Sequence, residues 1–136
     1  MNFWNDLLSK SIMGSHNMVL GGDLNFSIGS TEAWGPAARE DPLSDFFLNA
    51  INSHNLIDVN LIKLKPTWRN QRVGEARIAK RLDRFLLSED LATNIPMFRQ
   101  CVGEGGNSDH FPIFLELSKP PRKPVAPFKF NASWLQ

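Results

Sequence analysis

The chain has 136 residues, 42% hydrophobic and 21% charged, a length and composition that fit one globular domain. Its formal net charge of +1 excludes attraction to nucleic acid or membranes by overall charge, so any electropositive site must be local. A single cysteine, Cys101, and three scattered histidines exclude a disulfide framework and a cysteine-based zinc site. No apolar run approaches the ~20 residues that span a bilayer, and the N-terminus lacks the basic lead of a secretory signal. No membrane partner is expected; an intracellular setting is, with the nucleus compatible.

Residues 3–13, "FWNDLLSKSIM", set Phe3, Trp4, Leu7, Leu8 and Ile12 along one helical face. After a loop at Gly14 and Ser15, the apolar run Met18-Val19-Leu20 predicts a short strand, followed by a long polar loop to Asp41. In "DPLSDFFLNAINSHN", Asp41 suits a helix N-cap and Pro42 the first helical position, and Leu43, Phe46, Phe47, Ala50 and Ile51 form the buried stripe. "LIDVN" reads as a short buried extension. "KPTWRN" and "KRLDRFLLS" read as two strands of a hairpin with a long basic tip, "NQRVGEARIA". "EDLATNI" predicts a short helix opened by Ser88, and "PMFRQCV" and "FPIFLELS" the last two strands. Lys119 to Pro127 holds four prolines and three cations and reads as a linker, before the apolar tail "FKFNASWLQ". Strands and helices interleave, so the class is α/β or α+β.

Three polar outcrops interrupt this apolar pattern. "GGDLN" puts Asp23 and Asn25 two residues apart at a strand's end, where alternation would face them the same way toward a water or a phosphate oxygen. The same letters also make an ordinary polar turn. In "KRLDRFLLS" the carboxylate of Asp83 stands in a mostly apolar strand and needs a partner. Arg81 or Arg84 would serve; so would a histidine that Asp83 orients for proton transfer, and His110 in "SDHFPI" suits that role.

Taken in order, "GDLN", "PTW", "RLDRFLLS" and "SDHFPI" resemble the exonuclease–endonuclease–phosphatase (DNase I-like) superfamily. The likeness is nearest to the endonuclease domain of LINE-type (non-LTR) plant retrotransposons, where a similar "P-F-x-F…W" stretch follows, here "APFKFNASWL". The resemblance implies a four-layered α/β sandwich and metal-dependent phosphodiester hydrolysis with Mg²⁺ or Mn²⁺. It covers residues 1–118 as a partial domain of this type, with 119–136 as Pro-rich linker and apolar tail. By motif, Asp23 would orient or deprotonate the attacking water, and Asn25 would hydrogen-bond the nucleophile and phosphoryl oxygens. Asp83 would hold His110, which stabilises the scissile phosphate; Asp109 would help organise metal and water, and Trp68 would wall the site.

The resemblance also implies a departure. The family's principal metal-binding Glu and a further catalytic Asn lie upstream of the "GDxN" strand, and no counterpart precedes Asp23 here. The chain therefore resembles the C-terminal half of the domain, with weak or no cleavage alone and self-association through an uncovered sheet face. Arg69, Arg72, Arg77, Lys80, Arg81 and Arg84 cluster in the hairpin, and Arg72 and Arg77 are the candidates to grip DNA phosphates. The alternatives are a non-catalytic nucleic-acid-binding relic and a small-molecule phosphatase of the same superfamily.

Overall fold

A computed structural model describes residues 2–118; the linker and tail expected over 119–136 lie outside them. The first helix, α1 (Asn2–Leu8), stops earlier than the apolar spacing predicts, and a 3-10 turn over Ser11–Gly14 follows. Ser9 explains the stop: its hydroxyl bonds back to the Asp6 carbonyl at 2.8 Å, a local alternative to continuing the helix. Trp4, Leu7 and Leu8 pack inward as expected, whereas Phe3 and Ile12 stay exposed and Met13 takes the buried position.

Strand β1 (Val19–Asp23) forms the edge of a three-stranded antiparallel sheet in the order β1-β6-β3, with β6 at Asp83–Ser88 and β3 at Leu56–Asp58. As an edge strand it exposes Val19 on one side. Gly21 is required where it stands: a Cβ there would lie 2.3 Å from the Phe85 ring on the partner strand. The central strand β6 is buried on both faces, its apolar centre Phe85-Leu86-Leu87 flanked by the polar Asp83, Arg84 and Ser88, each of which is buried.

A second small sheet, in the order β2-β5-β4, joins β2 (Ala33–Trp34), β4 (Trp68–Arg69) and β5 (Ala79–Lys80). The expected hairpin is present as β4–β5, with Trp68 opposite Lys80. "KRLDRFLLS", however, is not one strand. It breaks at Arg81–Leu82 and feeds two sheets, because the Leu82 and Asp83 N–H groups both donate to Thr67 Oγ1, at 2.9 and 2.8 Å. Strand β2, in the region read as loop, pairs with β5. Here Gly35 (φ 105°) lies so close to the Arg77 carbonyl that a Cβ would be 2.3 Å from it.

Helix α2 (Ser44–Ser53) begins later than predicted. Asp41 accepts from the Leu43 N–H at 3.0 Å and its carbonyl from the Ser44 N–H at 3.0 Å, so it caps the turn that leads into the helix. Phe47 and Ile51 of its stripe are buried, with Leu43 and Phe46 packed beside them. The Phe26 and Phe47 rings stack with centroids 3.5 Å apart, and Trp4 meets both edge-on. Helix α3 (Glu89–Asn94) follows Ser88, whose hydroxyl does not cap it. That hydroxyl donates to the His16 carbonyl (2.7 Å) and accepts from the Met18 N–H (3.1 Å), tying β6 to the entry of β1.

Strands β7 (Met97–Val102) and β8 (Ile113–Ser118) form an antiparallel pair, leaving Met97 and Phe114 exposed at 52% and 55%. The described residues are thus mixed α/β, with three small sheets and few helices. None of the described helices is long and apolar enough to cross a membrane.

Candidate active site

The antiparallel register places Asp23 directly opposite Asp83 at the end of the β1–β6 ladder. Directly opposed side chains share a face, and two carboxylates there repel. His110 stands between them. Its Nδ1 lies 3.0 and 3.2 Å from the two oxygens of Asp83, and its Nε2 lies 3.8 Å from Asp23 Oδ2. Asp83 is buried, while the side chains of His110 and Asp23 are 32% and 45% exposed, so the row opens outward from a buried anchor.

The loop after β7 is positioned by β4. The Phe111 N–H donates to the Thr67 carbonyl at 2.7 Å and the Arg69 N–H to the Asp109 carbonyl at 3.0 Å, with Trp68 bridged antiparallel to His110. Ser108 Oγ accepts from the His110 N–H at 3.1 Å. Thr67 therefore holds both partners: its carbonyl fixes the His110 segment and its hydroxyl the main chain of Asp83. In "PTW" the sequence points to the tryptophan and not to the threonine. The signal available was a small hydroxyl residue at a strand start, too common to stand out.

Partial burial is the largest effect on the His110 imidazole and lowers its pKa. The hydrogen bond that His110 donates to Asp83 and the charges of Asp83, Asp23 and Asp109 together outweigh it, so the net shift is upward from 6.5. The site favours an imidazolium able to donate to an anion from Nε2 while Nδ1 is held by Asp83.

Asn25 does not continue the strand. It has φ 57°, in the left-handed region, and its N–H donates to Asp23 Oδ1 at 2.9 Å. Alternation cannot apply to it; an Asx turn instead folds it beside Asp23. Asp109 Oδ2 accepts from Trp68 Nε1 at 2.9 Å, which fixes the indole plane. An open hollow of about 370 Å³ adjoins this corner, lined by Arg69, Gln71, Phe111 and the Gly105–Ser108 loop. Arg69 lies over the Phe111 ring, 4.3 Å from its centroid.

Among the described residues, Asp23, Asp83 and His110 form a carboxylate–imidazole cluster whose potential ligand atoms lie within 4.8 Å of one another. Asp109, the metal candidate from the sequence, is not in this group. As arranged, Asp83 and His110 satisfy each other, and Asp23 alone is left with an exposed oxygen. Mg²⁺ takes octahedral oxygen coordination that water and substrate phosphate largely fill, with one or two protein carboxylates. Among the described residues Asp23 would hold such an ion, with water and substrate phosphate as its remaining ligands.

The basic hairpin needs correction. Arg81 and Arg84 neither pair with Asp83 nor face solvent: they are 4% and 0% exposed and bind Glu32 and Asp58 in a buried quartet. Arg81 bonds Glu32 at 2.7 Å and Asp58 at 2.8 Å; Arg84 bonds Glu32 at 2.6 Å and Asp58 at 2.7 Å. Neither arginine is free to touch a nucleic acid. Arg72 and Arg77 do remain exposed, on a tip zipped by Asn70, whose Oδ1 accepts from Ile78 N–H at 3.0 Å and whose Nδ2 donates to the Ala76 carbonyl at 2.8 Å.

No family model and no curated protein matches this sequence. Among solved structures it is similar to the endonuclease domain of TRAS1, a telomere-specific non-LTR retrotransposon, with 27% identity and a TM-score of 0.52. The match covers 73% of this chain and 42% of that domain, so the chain spans less than half the length of its structural neighbour. The likeness supports an endonuclease-like α/β fold.

Proposed function

We propose that the protein is an endonuclease-type hydrolase of DNA phosphodiesters, apurinic sites included, with its chemistry centred on His110. The observation that carries this reading is the row Asp83–His110–Asp23: a buried carboxylate bonded to one ring nitrogen, and the other nitrogen directed toward an exposed carboxylate. The likeness to a retrotransposon endonuclease domain supports it independently.

In this reading Asp83 fixes the ring, and His110 donates from Nε2 to a non-bridging phosphate oxygen as charge develops there. Asp23 orients the attacking water and takes its proton as the water oxygen bonds to phosphorus. The P–O bond to the leaving sugar breaks, and the departing oxygen takes a proton from solvent, while Asn25, held by the turn at Asp23, hydrogen-bonds a phosphoryl oxygen. Asp109 holds Trp68 as a wall. Arg72 and Arg77 contact flanking phosphates. The divalent cation that the family resemblance implies, Mg²⁺ or Mn²⁺, needs ligands beyond Asp23, and no step is assigned to it. Cleavage by this chain alone is accordingly slow. The four-layered sandwich of the family belongs to the same proposal. So does self-association through the exposed Met97–Phe114 face of the β7–β8 hairpin.

The test is nicking of intact and abasic plasmid by the purified chain with Mg²⁺ or Mn²⁺, beside His110→Ala. Slow nicking that the substitution abolishes is expected. Nicking indifferent to His110, or the absence of both nicking and DNA binding, would overturn the reading. Hydrolysis of an inositol phosphate in preference to DNA would favour the phosphatase alternative.

A further inference from the structure

We propose that Gln100 is a positioning residue: its carboxamide takes the place of a missing strand beside β6 and so fixes the main chain that carries Asp83. The edge of β6 toward β3 has strand partners only from Leu86 to Ser88, and one more main-chain bond, from the Val59 N–H to the Phe85 carbonyl at 2.9 Å. Beyond that point side chains take over. Gln100 Oε1 accepts from the Phe85 N–H at 3.0 Å, and Gln100 Nε2 donates to the Asp83 carbonyl at 3.1 Å. A residue opposite Arg84 on a neighbouring parallel strand would pair with these same two groups.

Gln100 is itself fully buried, and its own N–H donates to the Asn60 carbonyl at 3.1 Å. A buried amide with both ends matched costs little, whereas an apolar replacement leaves Phe85 N–H and Asp83 C=O unpaired. Those two groups recover partners only by moving, and Asp83 moves with them. The ring of His110 is held at 3.0 Å by that carboxylate, so displacement of Asp83 reaches the reacting end of the site. A glutamate at this position keeps the acceptor but, when ionised, opposes the Asp83 carbonyl with a negative oxygen.

The catalytic meaning of this assignment rests on the proposed nuclease function; the positioning itself does not, and the experiment separates them. In the full chain, Gln100→Leu and Gln100→Glu are compared with wild type and with Val102→Ala, a packing change two residues along the same strand that removes no hydrogen bond. Three quantities are read: hydrogen exchange of the Phe85 amide, the ring ¹⁵N shifts of His110, and the nicking rate at saturating DNA. Both Gln100 variants should lose Phe85 protection, shift the His110 ring signals, and slow nicking about 10- to 100-fold with DNA affinity held within about twofold. Val102→Ala should do none of these. Unchanged Phe85 exchange and His110 signals in a folded Gln100→Leu would overturn the proposal, as would an equal rate loss in Val102→Ala. If neither Gln100 variant folds, wild type decides: slow exchange of the Gln100 side-chain amide and of Phe85 N–H supports the clasp, and fast exchange refutes it. If wild type does not nick, exchange and ring shifts still decide the role of Gln100, and the failure falls on the nuclease reading alone.

Discussion

Asp83 and Arg84 are neighbours in one strand, yet they belong to two ionic groups of opposite character. Alternation along β6 sends Arg84 to the side of Leu86 and Phe26, where two arginines meet two carboxylates in a largely buried, neutral quartet with only Asp58 partly exposed. It sends Asp83 to the other side, where one histidine stands between two carboxylates at a partly open corner. The first group is complete: oxygens and guanidinium ends match, with only the Nε atoms of Arg81 and Arg84 lacking a partner. The second is in excess of negative charge and has an exposed end. Completeness with burial marks a structural device, and incompleteness at an opening marks a place for a ligand.

The sharpest way to break this contrast is to open the quartet. Arg84→Met leaves Glu32 short of its 2.6 Å partner in a site where the side chain is 8% exposed, and removal of one partner of a buried pair costs about 3–5 kcal/mol. Urea denaturation should show that loss, while the nicking rate per folded molecule stays unchanged. A stability loss below about 1 kcal/mol would mean that the quartet is not the structural device argued here.

Asp83→Asn should do the reverse. It removes one of two opposed carboxylates and keeps a hydrogen-bonding group, so stability should change by about 1 kcal/mol or less. Nicking should fall about 10²- to 10³-fold, the range for losing a donor aimed at the developing charge, because His110 is no longer held by its carboxylate. Equal effects of the two substitutions on stability and on rate would erase the distinction.

The sequence made one half of this contrast legible and hid the other. A lone Asp in an apolar strand, and a histidine at the mouth of the next, are visible because such residues are costly there without partners. Which partner Asp83 takes was open among Arg81, Arg84 and His110. It is decided by Glu32, 49 and 52 positions from the two arginines, and Asp58, 23 and 26 positions from them, in segments with no local signature. The long-range clasps of Thr67 and Gln100 were equally hidden, because a Thr or Gln in a short strand looks the same whether it faces water or a buried main chain. Asn25 departs from the sequence pattern for a local reason: period-two alternation holds only while the strand continues, and the left-handed residue ends it.

A third expectation follows from His110. Its folded pKa is raised, so the stabilisation from its protonated form is fully present below the unfolded value near 6.5 and is lost as pH rises through the folded pKa. Stability measured from pH 6 upward should decline across that window, and Asp83→Asn should lower the His110 pKa and reduce the decline. A His110 that titrates at or below 6.5 in wild type would contradict the net effect of the three surrounding carboxylates.

The smallest effect concerns the hairpin, and it extends the same contrast to arginines. Of the six cations first grouped there, Arg81 and Arg84 are consumed by the quartet and Arg69 lies on Phe111, whereas Arg72 and Arg77 stand exposed on the tip. An exposed arginine that meets a phosphate releases a counterion, and each such contact contributes about 0.9 to the slope of log affinity against log salt on duplex DNA. Arg72→Ala with Arg77→Ala should therefore weaken binding across sequences and reduce the slope by at most about 2. The fold should be untouched, because the Asn70 bonds that close the tip use main-chain groups of Arg72, Ala76 and Ile78 and neither arginine side chain. Binding measured by fluorescence anisotropy between low and moderate salt checks this. An unchanged slope would assign both residues to solvated surface and leave the His110 corner, without the hairpin, as the surface that meets DNA.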